Sequence, residues 1–199
     1  RITLHAPQEP AATTASRLSA LYGVQVTIVP VSQPTSELRR LERVASMAGA
    51  MISDIVKEGD TIGVAWGTTL SAVSERLVPK HMERSIVVQL NGAANPGTTG
   101  IPFVGELLGN FSRAYGAKVM AFPVPAFFDY ATTRAALWRE RSISAVREAG
   151  RNADLAIFGV GVFSAPLASH VYASGYLGNE DVMRLRREGV VGDVCTVLE

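Results

Sequence analysis

A Gly-Thr-Thr turn at residues 67–69 carries residue types that bind anions and polyols. It follows Thr61 to Ala65, a short apolar run typical of a strand that is buried on both faces. Gly67 allows the backbone to turn sharply, and Thr68 is placed to cap a helix with apolar residues at helical spacing. Backbone N–H groups and two hydroxyls would then lie at the positive end of a helix, which favours an anion. A plain strand-to-helix turn without a ligand has the same pattern, and the turn matches neither a Walker A loop nor Gly-x-Gly-x-x-Gly.

Three other loops offer further candidate ligand groups. Asn91, Gly92 and Asn95 lie in a polar loop after a predicted strand, and a ligand contact and a plain surface turn account for them equally well. Pro125 ends a Pro-Val-Pro loop, and Gly161 ends a Gly-Val-Gly sequence. Glycine and proline occur where a backbone must turn or closely approach another group. These loops therefore predict a pocket, although glycine turns also serve packing alone.

Two adjacent aromatic residues and one carboxylate complete the candidate set. Phe127 and Phe128 follow the Pro-Val-Pro loop, and we expect one to pack in the core and the other to form a pocket wall. Asp193 follows a glycine inside an apolar strand. Its carboxylate could accept hydrogen bonds from a ligand or cap a neighbouring turn.

Residues suited to catalysis are sparse in these loops. A lysine that forms a Schiff base would have to come from a pocket loop, but Lys57, Lys80 and Lys118 all precede strands, at the opposite end. The loops offer Asp129 and Asp193 as carboxylates, and no histidine. We therefore predict reversible binding with no catalytic residue, and an enzyme on the same fold is the alternative.

The composition is that of one ordinary globular domain, spanning residues 1–199. Hydrophobic residues make up 47% of the chain, and 19 basic and 18 acidic residues give a net charge of +1. A net charge this small does not attract nucleic acid or an anionic membrane to the protein as a whole. One cysteine excludes an internal disulfide, and no apolar segment is long enough to predict a membrane span. We predict a cytoplasmic protein without metal or cofactor, and both ends resemble interior positions of a longer chain.

Short apolar runs alternate with helix-spaced apolar residues along the chain. The predicted strands are residues 1–5, 24–29, 61–65, 86–90, 118–122, 155–158 and 190–198. The predicted helices are residues 11–22, 36–56, 68–77, 103–115, 132–150 with a break near 140–142, and 179–188. Apolar strands separated by helices predict an α/β fold, with a mainly parallel sheet covered by helices on both faces. In such sheets, ligands bind beyond the carboxyl ends of the strands.

Five segments of the chain form an ordered set of motifs. They are residues 63–70, 87–92, 123–125, 153–161 and 189–194. Each motif is weak by itself, but the set resembles the sugar-binding effector domain of SorC-type bacterial transcriptional regulators over nearly the whole chain. The resemblance implies a Rossmann-like fold, similar to sugar-phosphate isomerases and deaminases. It also implies that a phosphorylated sugar or related metabolite binds at the carboxyl ends of the strands.

The resemblance further implies partners and residue roles. Operator DNA would be bound by a helix-turn-helix that is not present in this chain, and the protein would assemble as a homodimer or homotetramer. A segment that follows the Gly-Asp strand in the family, and adds ligand contacts there, is also absent. Gly67, Thr68 and Thr69 match the first ligand loop of the family, and the resemblance favours a ligand role for Asp193. Arg134 is the nearest candidate counter-charge for a phosphate, and a sugar-phosphate isomerase or deaminase is the alternative function.

Overall fold

The structure is a computed structural model that describes residues 11–31, 34–95, 101–163, 170–173 and 175–198. Its helices are α1 (Ala11–Tyr22), α2 (Glu37–Ile55), α3 (Thr68–Ser74), α4 (Ile101–Tyr115), α5 (Ala131–Leu137), α6 (Arg141–Arg151), α7 (His170–Ala173) and α8 (Asn179–Arg187). Its strands are β1 (Thr61–Val64), β2 (Ile86–Gln89), β3 (Lys118–Met120), β4 (Leu155–Ile157), β5 (Val160–Val162), β6 (Gly192–Val194) and β7 (Val197–Leu198). The strand predicted at residues 1–5 lies outside the described residues.

Four short parallel strands form the central sheet, in the order β3-β2-β1-β4. Thr61 of β1 pairs with Ile86 of β2, and Ile62 pairs with Leu155 of β4 on the other side. The side chains of the inner strands are shielded from water, since Ile62 and Val87 expose 0% of their surface. This sheet confirms the predicted α/β fold with a mainly parallel sheet.

Helices cover both faces of the sheet. Val87 and Val88 are adjacent in β2 and therefore point to opposite faces. Val87 packs with side chains of α2, α3 and α4, whereas Val88 packs with Ile143 and Val146 of α6. The two apolar clusters thus lie on opposite sides of one sheet. Of the helices that the structure describes, none is long and apolar enough to cross a membrane.

Several predicted helix boundaries are confirmed. The Ser36 hydroxyl caps α2 by accepting a hydrogen bond from the Arg39 backbone N–H. Gly23 and Gly116 directly follow α1 and α4 in the left-handed conformation, with φ of +66° and +68°, which glycine adopts without steric cost. The predicted break in the helical region after Tyr130 separates α5 from α6.

Three strand and loop predictions are wrong. Residues 24–29 form no strand, although they are rich in β-branched residues, because no described strand pairs with them and Val24 is 54% exposed. Residues 190–198 form a hairpin of β6 and β7 rather than one strand. Residues 160–162, predicted as a loop, form β5, which pairs antiparallel with β6 in a second, three-stranded sheet.

Candidate functional site

Trp66 joins the carboxyl ends of β1 and β2. Its backbone N–H donates to Asn91 Oδ1 (3.2 Å), and its indole Nε1 donates to the carbonyl oxygen of Gly92 (2.7 Å). Tyr176 stacks on the indole with ring centroids 5.1 Å apart, and its hydroxyl donates to the carbonyl oxygen of Ala93 (2.7 Å). Because Trp66 is buried, these bonds are shielded from water and hold the two exit loops in one arrangement.

The exit loops of β2 and β3 are joined through their backbones. Ala94 and Pro125 form a parallel bridge, and Ala126 N donates to the carbonyl oxygen of Ala94 (3.0 Å). A Cβ at Gly92 would clash with the carbonyl oxygen of Pro125. Glycine is therefore needed at position 92 because two backbones approach closely, and not because of an unusual turn conformation.

Gln89 links the same two loops from the end of β2. Its Nε2 donates to the carbonyl oxygen of Asn91 (2.7 Å), and its Oε1 accepts from Phe122 N (2.8 Å). The sequence interpretation missed Gln89, Trp66 and Tyr176 as residues that organise this edge. Gln89 and Trp66 could have been found, because a polar residue and a bulky aromatic residue each stand at the end of an apolar strand. No local sequence pattern distinguishes Tyr176.

Two neighbouring clefts open at this edge of the sheet. The first, of about 410 Å³, is lined by the loop after β3 together with Asn95 and Tyr176. The second, of about 600 Å³, is lined by the same loop, the exit of β2, Arg134 and the hairpin turn at residues 195–197. Both volumes are in the range of small-molecule sites. Five of the predicted ligand residues line one or both clefts, namely Asn91, Gly92, Asn95, Pro125 and Phe127.

The two phenylalanines of the loop after β3 have similar roles. Phe128 packs edge-on against Trp138, with ring centroids 5.4 Å apart, and Phe127 packs against the cluster on the other face of the sheet. Both side chains line both clefts. The expected division into one core residue and one wall residue therefore does not apply.

Thr68 is the first residue of α3, and its hydroxyl oxygen is buried. Within the part of the chain that the structure describes, Thr68 Oγ1 has no hydrogen-bond partner. The predicted capping role is wrong, because Gly67 occupies the cap position and Thr68 is already helical. A buried hydroxyl without a partner costs about 1–3 kcal/mol. A ligand oxygen beside α3 would supply the missing partner.

Gly67, which directly precedes Thr68, has room for a side chain. Its backbone is extended, with φ 161° and ψ 165°, so the expected sharp turn at Gly67 is absent. Among the residues that the structure describes, a Cβ at Gly67 would meet no atom within 4 Å. Thr69, the next residue after Thr68, is exposed. The turn thus combines an exposed Thr69 with the buried Thr68 hydroxyl, although α3 has only seven residues and its dipole is correspondingly small.

Asp193 is buried and holds the β6–β7 hairpin. Its Oδ2 accepts from Thr196 N (3.2 Å), which is the turn-capping alternative, and its Oδ1 accepts from the Tyr172 hydroxyl (2.8 Å). Burial, and then the neighbouring Asp193 carboxylate, raise the pKa of Tyr172 far above its ordinary value. Gly161 of β5 pairs in register with Asp193. Neither Gly161 nor Asp193 lines the two clefts described above.

The hairpin turn that Asp193 holds forms a wall of the larger cleft. Cys195 and Thr196 both have positive φ, 53° and 64°, as in a two-residue hairpin turn. Burial, and then the Asp193 carboxylate, raise the pKa of the Cys195 thiol. The thiol is therefore neutral and a poor nucleophile. Asp193 acts on the cleft by positioning this turn.

Lys80 and Asp154 lie near the amino end of the sheet, whereas Arg134 lies near its carboxyl end. Lys80 Nζ donates to the carbonyl oxygen of Val56, and Asp154 Oδ2 accepts from Thr61 N, so both serve the amino end of β1. Arg134 lines the larger cleft, and its guanidinium lies 5.2 Å from the centre of the Trp138 ring. Across residues 11–31, 34–95, 101–163, 170–173 and 175–198, no group of three or more His, Cys, Asp or Glu side chains is placed to hold a metal ion.

The parallel sheet, its joined exit loops and the clefts beside them define a ligand-binding α/β domain. The model of a family described as "Putative sugar-binding domain" matches residues 7–198, and the chain therefore belongs to this sugar-binding domain family. The predicted resemblance to SorC-type regulator domains is confirmed by this match and by the structures of similar proteins.

Solved structures of similar proteins have the same fold. A domain of a "possible sugar-binding transcriptional regulator" from Arthrobacter aurescens TC1 is 44% identical, with a TM-score of 0.88 over 98% of this chain and 74% of that one. The full-length sorbitol operon regulator SorC from Klebsiella pneumoniae is 18% identical, with a TM-score of 0.83 over 100% of this chain and 65% of that one. At that identity, the second likeness shows the fold alone.

Curated relatives are longer than this chain. The deoxyribonucleoside regulator of Bacillus subtilis (strain 168) is 29% identical over 182 residues, which are 91% of this chain and 56% of the relative. The sorbitol operon regulator of Klebsiella pneumoniae is 18% identical over 193 residues, which are 90% of this chain and 57% of the relative. The chain thus spans about half the length of the curated relatives it matches.

Proposed function

We propose that this chain is the ligand-sensing domain of a sugar-responsive transcriptional regulator. It binds a phosphorylated sugar or a related metabolite reversibly, beyond the carboxyl ends of β1, β2 and β3. The observation that carries the proposal is the buried Thr68 hydroxyl, which has no hydrogen-bond partner in the described structure and directly follows Gly67, where a Cβ would meet no described atom within 4 Å. A phosphate or sugar oxygen accepts such a hydrogen bond, and a charge-assisted bond of this kind contributes about 1.5–3 kcal/mol.

The two clefts are not lined by Gly67, Thr68 or Thr69, but the larger one includes Asn91 and Gly92, which Trp66 contacts, and both clefts suit the rest of such a ligand. Asn91 and Asn95 offer amide groups for hydroxyls, and Phe127 offers an apolar wall for the carbon skeleton. Arg134 supplies a positive charge at the larger cleft, where a phosphate would be met. Gly161 and Asp193 support the site through the second sheet, and Thr69 and Pro125 complete its rim.

The names of the relatives support this ligand class. One is named a deoxyribonucleoside regulator, and another is named a sorbitol operon regulator. We infer that operator DNA is bound by a helix-turn-helix outside this chain, since the relatives are longer. The whole protein then acts in the cytoplasm as a homodimer or homotetramer, with two-fold symmetry matched to two operator half-sites.

The residues of the clefts favour reversible ligand binding over an enzymatic reaction. Both carboxylate oxygens of Asp193 accept hydrogen bonds from the protein, so this residue is poorly placed to act as a base. The cleft residue Asp129 is exposed, so its carboxylate is not shielded from water. A sugar-phosphate isomerase or deaminase would need a base that is free and positioned against the substrate.

Thermal unfolding of the 199-residue chain tests the proposal. The panel consists of terminal monophosphates of deoxyribose, ribose, sorbitol and fructose, each paired with its free sugar. A ligand at 100 times its dissociation constant adds about 2.7 kcal/mol of stability. For a chain of this size, that raises the melting temperature by roughly 5–10 °C. We expect at least one phosphate to do so and its free counterpart to do less, and a panel without any stabilising member would remove the main support for sensing.

A further inference from the structure

Helix α2 carries an apolar stripe on its outer face. Val44, Met47, Met51 and Ile55 recur at spacings of three and four residues, and they are between 36% and 55% exposed. The inner face of the helix is buried, with Ala45 at 0%. Apolar side chains that form a continuous exposed stripe mark an interaction surface, and methionine is common on such surfaces.

Two charged residues border this stripe near its two ends. Arg43 precedes Val44, and Asp54 precedes Ile55, so the two charged residues are eleven positions apart, or about three helical turns. Arg43 and Asp54 therefore lie on the same side of the stripe. Both are exposed, and neither makes an ion pair with another described residue.

The stripe and its two flanking charges on α2 are complementary to the same surface of a second, antiparallel α2. If a second copy of α2 lies antiparallel across a two-fold axis near position 49, Met47 of one copy meets Met51 of the other. In an antiparallel pair the same flanks face each other, so Arg43 meets Asp54 of the second copy, and symmetry repeats this ion pair. Reversal also opposes the two helix dipoles favourably. The charges and the apolar residues thus select the same partner and the same orientation.

We propose that the outer face of α2 is the interface between two copies of this chain, with the two α2 helices antiparallel. The inference rests on the self-association included in the proposed function, but it does not depend on any ligand. The helix of 19 residues is about 28 Å long, which provides an extended seam. The ion pairs lie at its edge, where they set orientation, and the apolar stripe provides the driving force.

The inner face of α2 connects this interface to the ligand site. A Cβ at Gly49 would clash with the carbonyl oxygen of Arg76, just after α3, so the two backbones are in direct contact. Ser53 Oγ also accepts from Val78 N (2.9 Å) in the same segment. Helix α3 begins at Thr68, and a displacement of α3 on ligand binding would therefore move α2 and its partner.

A charge exchange tests the proposed interface without ligand. Sedimentation equilibrium should show a dimer for the native chain, and Arg43→Glu should weaken it at least tenfold, because Glu then faces Asp54 in both ion pairs. Asp54→Arg alone should weaken it similarly. The double variant Arg43→Glu/Asp54→Arg should restore the dissociation constant to within about threefold, since the pair is re-formed with reversed charges.

Control variants separate this interface from a general effect of charge on association. Arg139→Glu makes the same change in charge between α5 and α6, on the other side of the sheet, and should leave the dimer unchanged. Met47→Glu should dissociate the dimer while leaving the helix content measured by circular dichroism intact. A strictly monomeric native chain would contradict both the interface and the proposed self-association. A dimer that tolerates Arg43→Glu, or that the double variant fails to restore, would contradict the interface alone.

Discussion

Glycines 67 and 92 lie in neighbouring exit loops but have different physical roles. Gly92 is fixed by the protein, because a side chain there would clash with the backbone of Pro125. A side chain at Gly67 would meet no atom of the described residues within 4 Å, and the backbone there is extended, which any residue adopts. A requirement for glycine at position 67 would therefore come from a ligand that approaches the backbone.

Alanine substitution should separate these two roles. Gly92→Ala should lower the free energy of unfolding by about 1–3 kcal/mol, because the added methyl group forces two backbones apart. Gly67→Ala should change it by less than about 0.5 kcal/mol and should reduce the thermal shift given by the sugar phosphates. Urea unfolding and the thermal shift measure the two effects on each variant. A large loss of stability in Gly67→Ala would show that this glycine serves the fold.

The sequence predicted several residues that line the two clefts. The loops that line the clefts follow apolar strands, and the parallel order brings their residues together, as for Asn91 and Pro125. The hydrogen bonds of Trp66 and Gln89 join loops that are far apart in the chain, so no local pattern contains them. The turn-capping bond of Asp193 is local, but the sequence left it open beside a ligand contact because both use the same carboxylate.

At the scale of elements, Ser53 fixes α2 to the segments after α3 and within α4. Its hydroxyl accepts from Val78 N, shares a hydrogen bond of 2.9 Å with the Tyr115 hydroxyl and donates to the carbonyl oxygen of Gly49. Both Ser53 and Tyr115 are buried, and burial raises the pKa of Tyr115. Three elements thus depend on one small polar group.

Removal of this hydroxyl should destabilise the chain. Ser53→Ala leaves the Val78 N–H and the Tyr115 hydroxyl without that partner, which should cost about 1–3 kcal/mol in urea unfolding. Ser46→Ala is a matched control, since its hydroxyl donates to the Glu42 carbonyl in the same local pattern but on the exposed side of α2. Equal stability of the two variants would mean that the Ser53 network contributes nothing beyond the local helix bond.

Helical and strand periodicity predicted most elements, and partner choice accounts for the exceptions. Apolar residues that repeat at helical spacing form one buried face. The predicted bounds of α2 and α4 therefore lie within two residues of the bounds in the structure. The segment 24–29 has β-forming residues but no described strand beside it. The region 190–198 pairs with itself through a turn at Cys195 and Thr196, which are not usual turn residues.

At the scale of the molecule, the proposed site and the proposed interface lie on connected elements. The clefts are at the carboxyl ends of the sheet, α3 begins beside them, and α2 packs on α3 and exposes its outer face. A domain built in this way can report a bound metabolite as a change in how two copies are arranged. The chain spans about half the length of its curated relatives, and the proposed function assigns the reading of this change to a DNA-binding segment.

The Thr68 hydroxyl, which has no partner among the described residues, is proposed to bind the ligand, and titration calorimetry of Thr68→Val tests this role. The sugar phosphate that stabilises the native chain most is titrated into the native chain, Thr68→Val and Ser53→Ala. We predict that Thr68→Val binds about 10- to 150-fold more weakly, because about 1.5–3 kcal/mol is lost, and that its free energy of unfolding is unchanged or higher. Ser53→Ala should show the reverse, with lower stability and the native affinity. Native affinity in Thr68→Val would show that this hydroxyl does not bind the ligand.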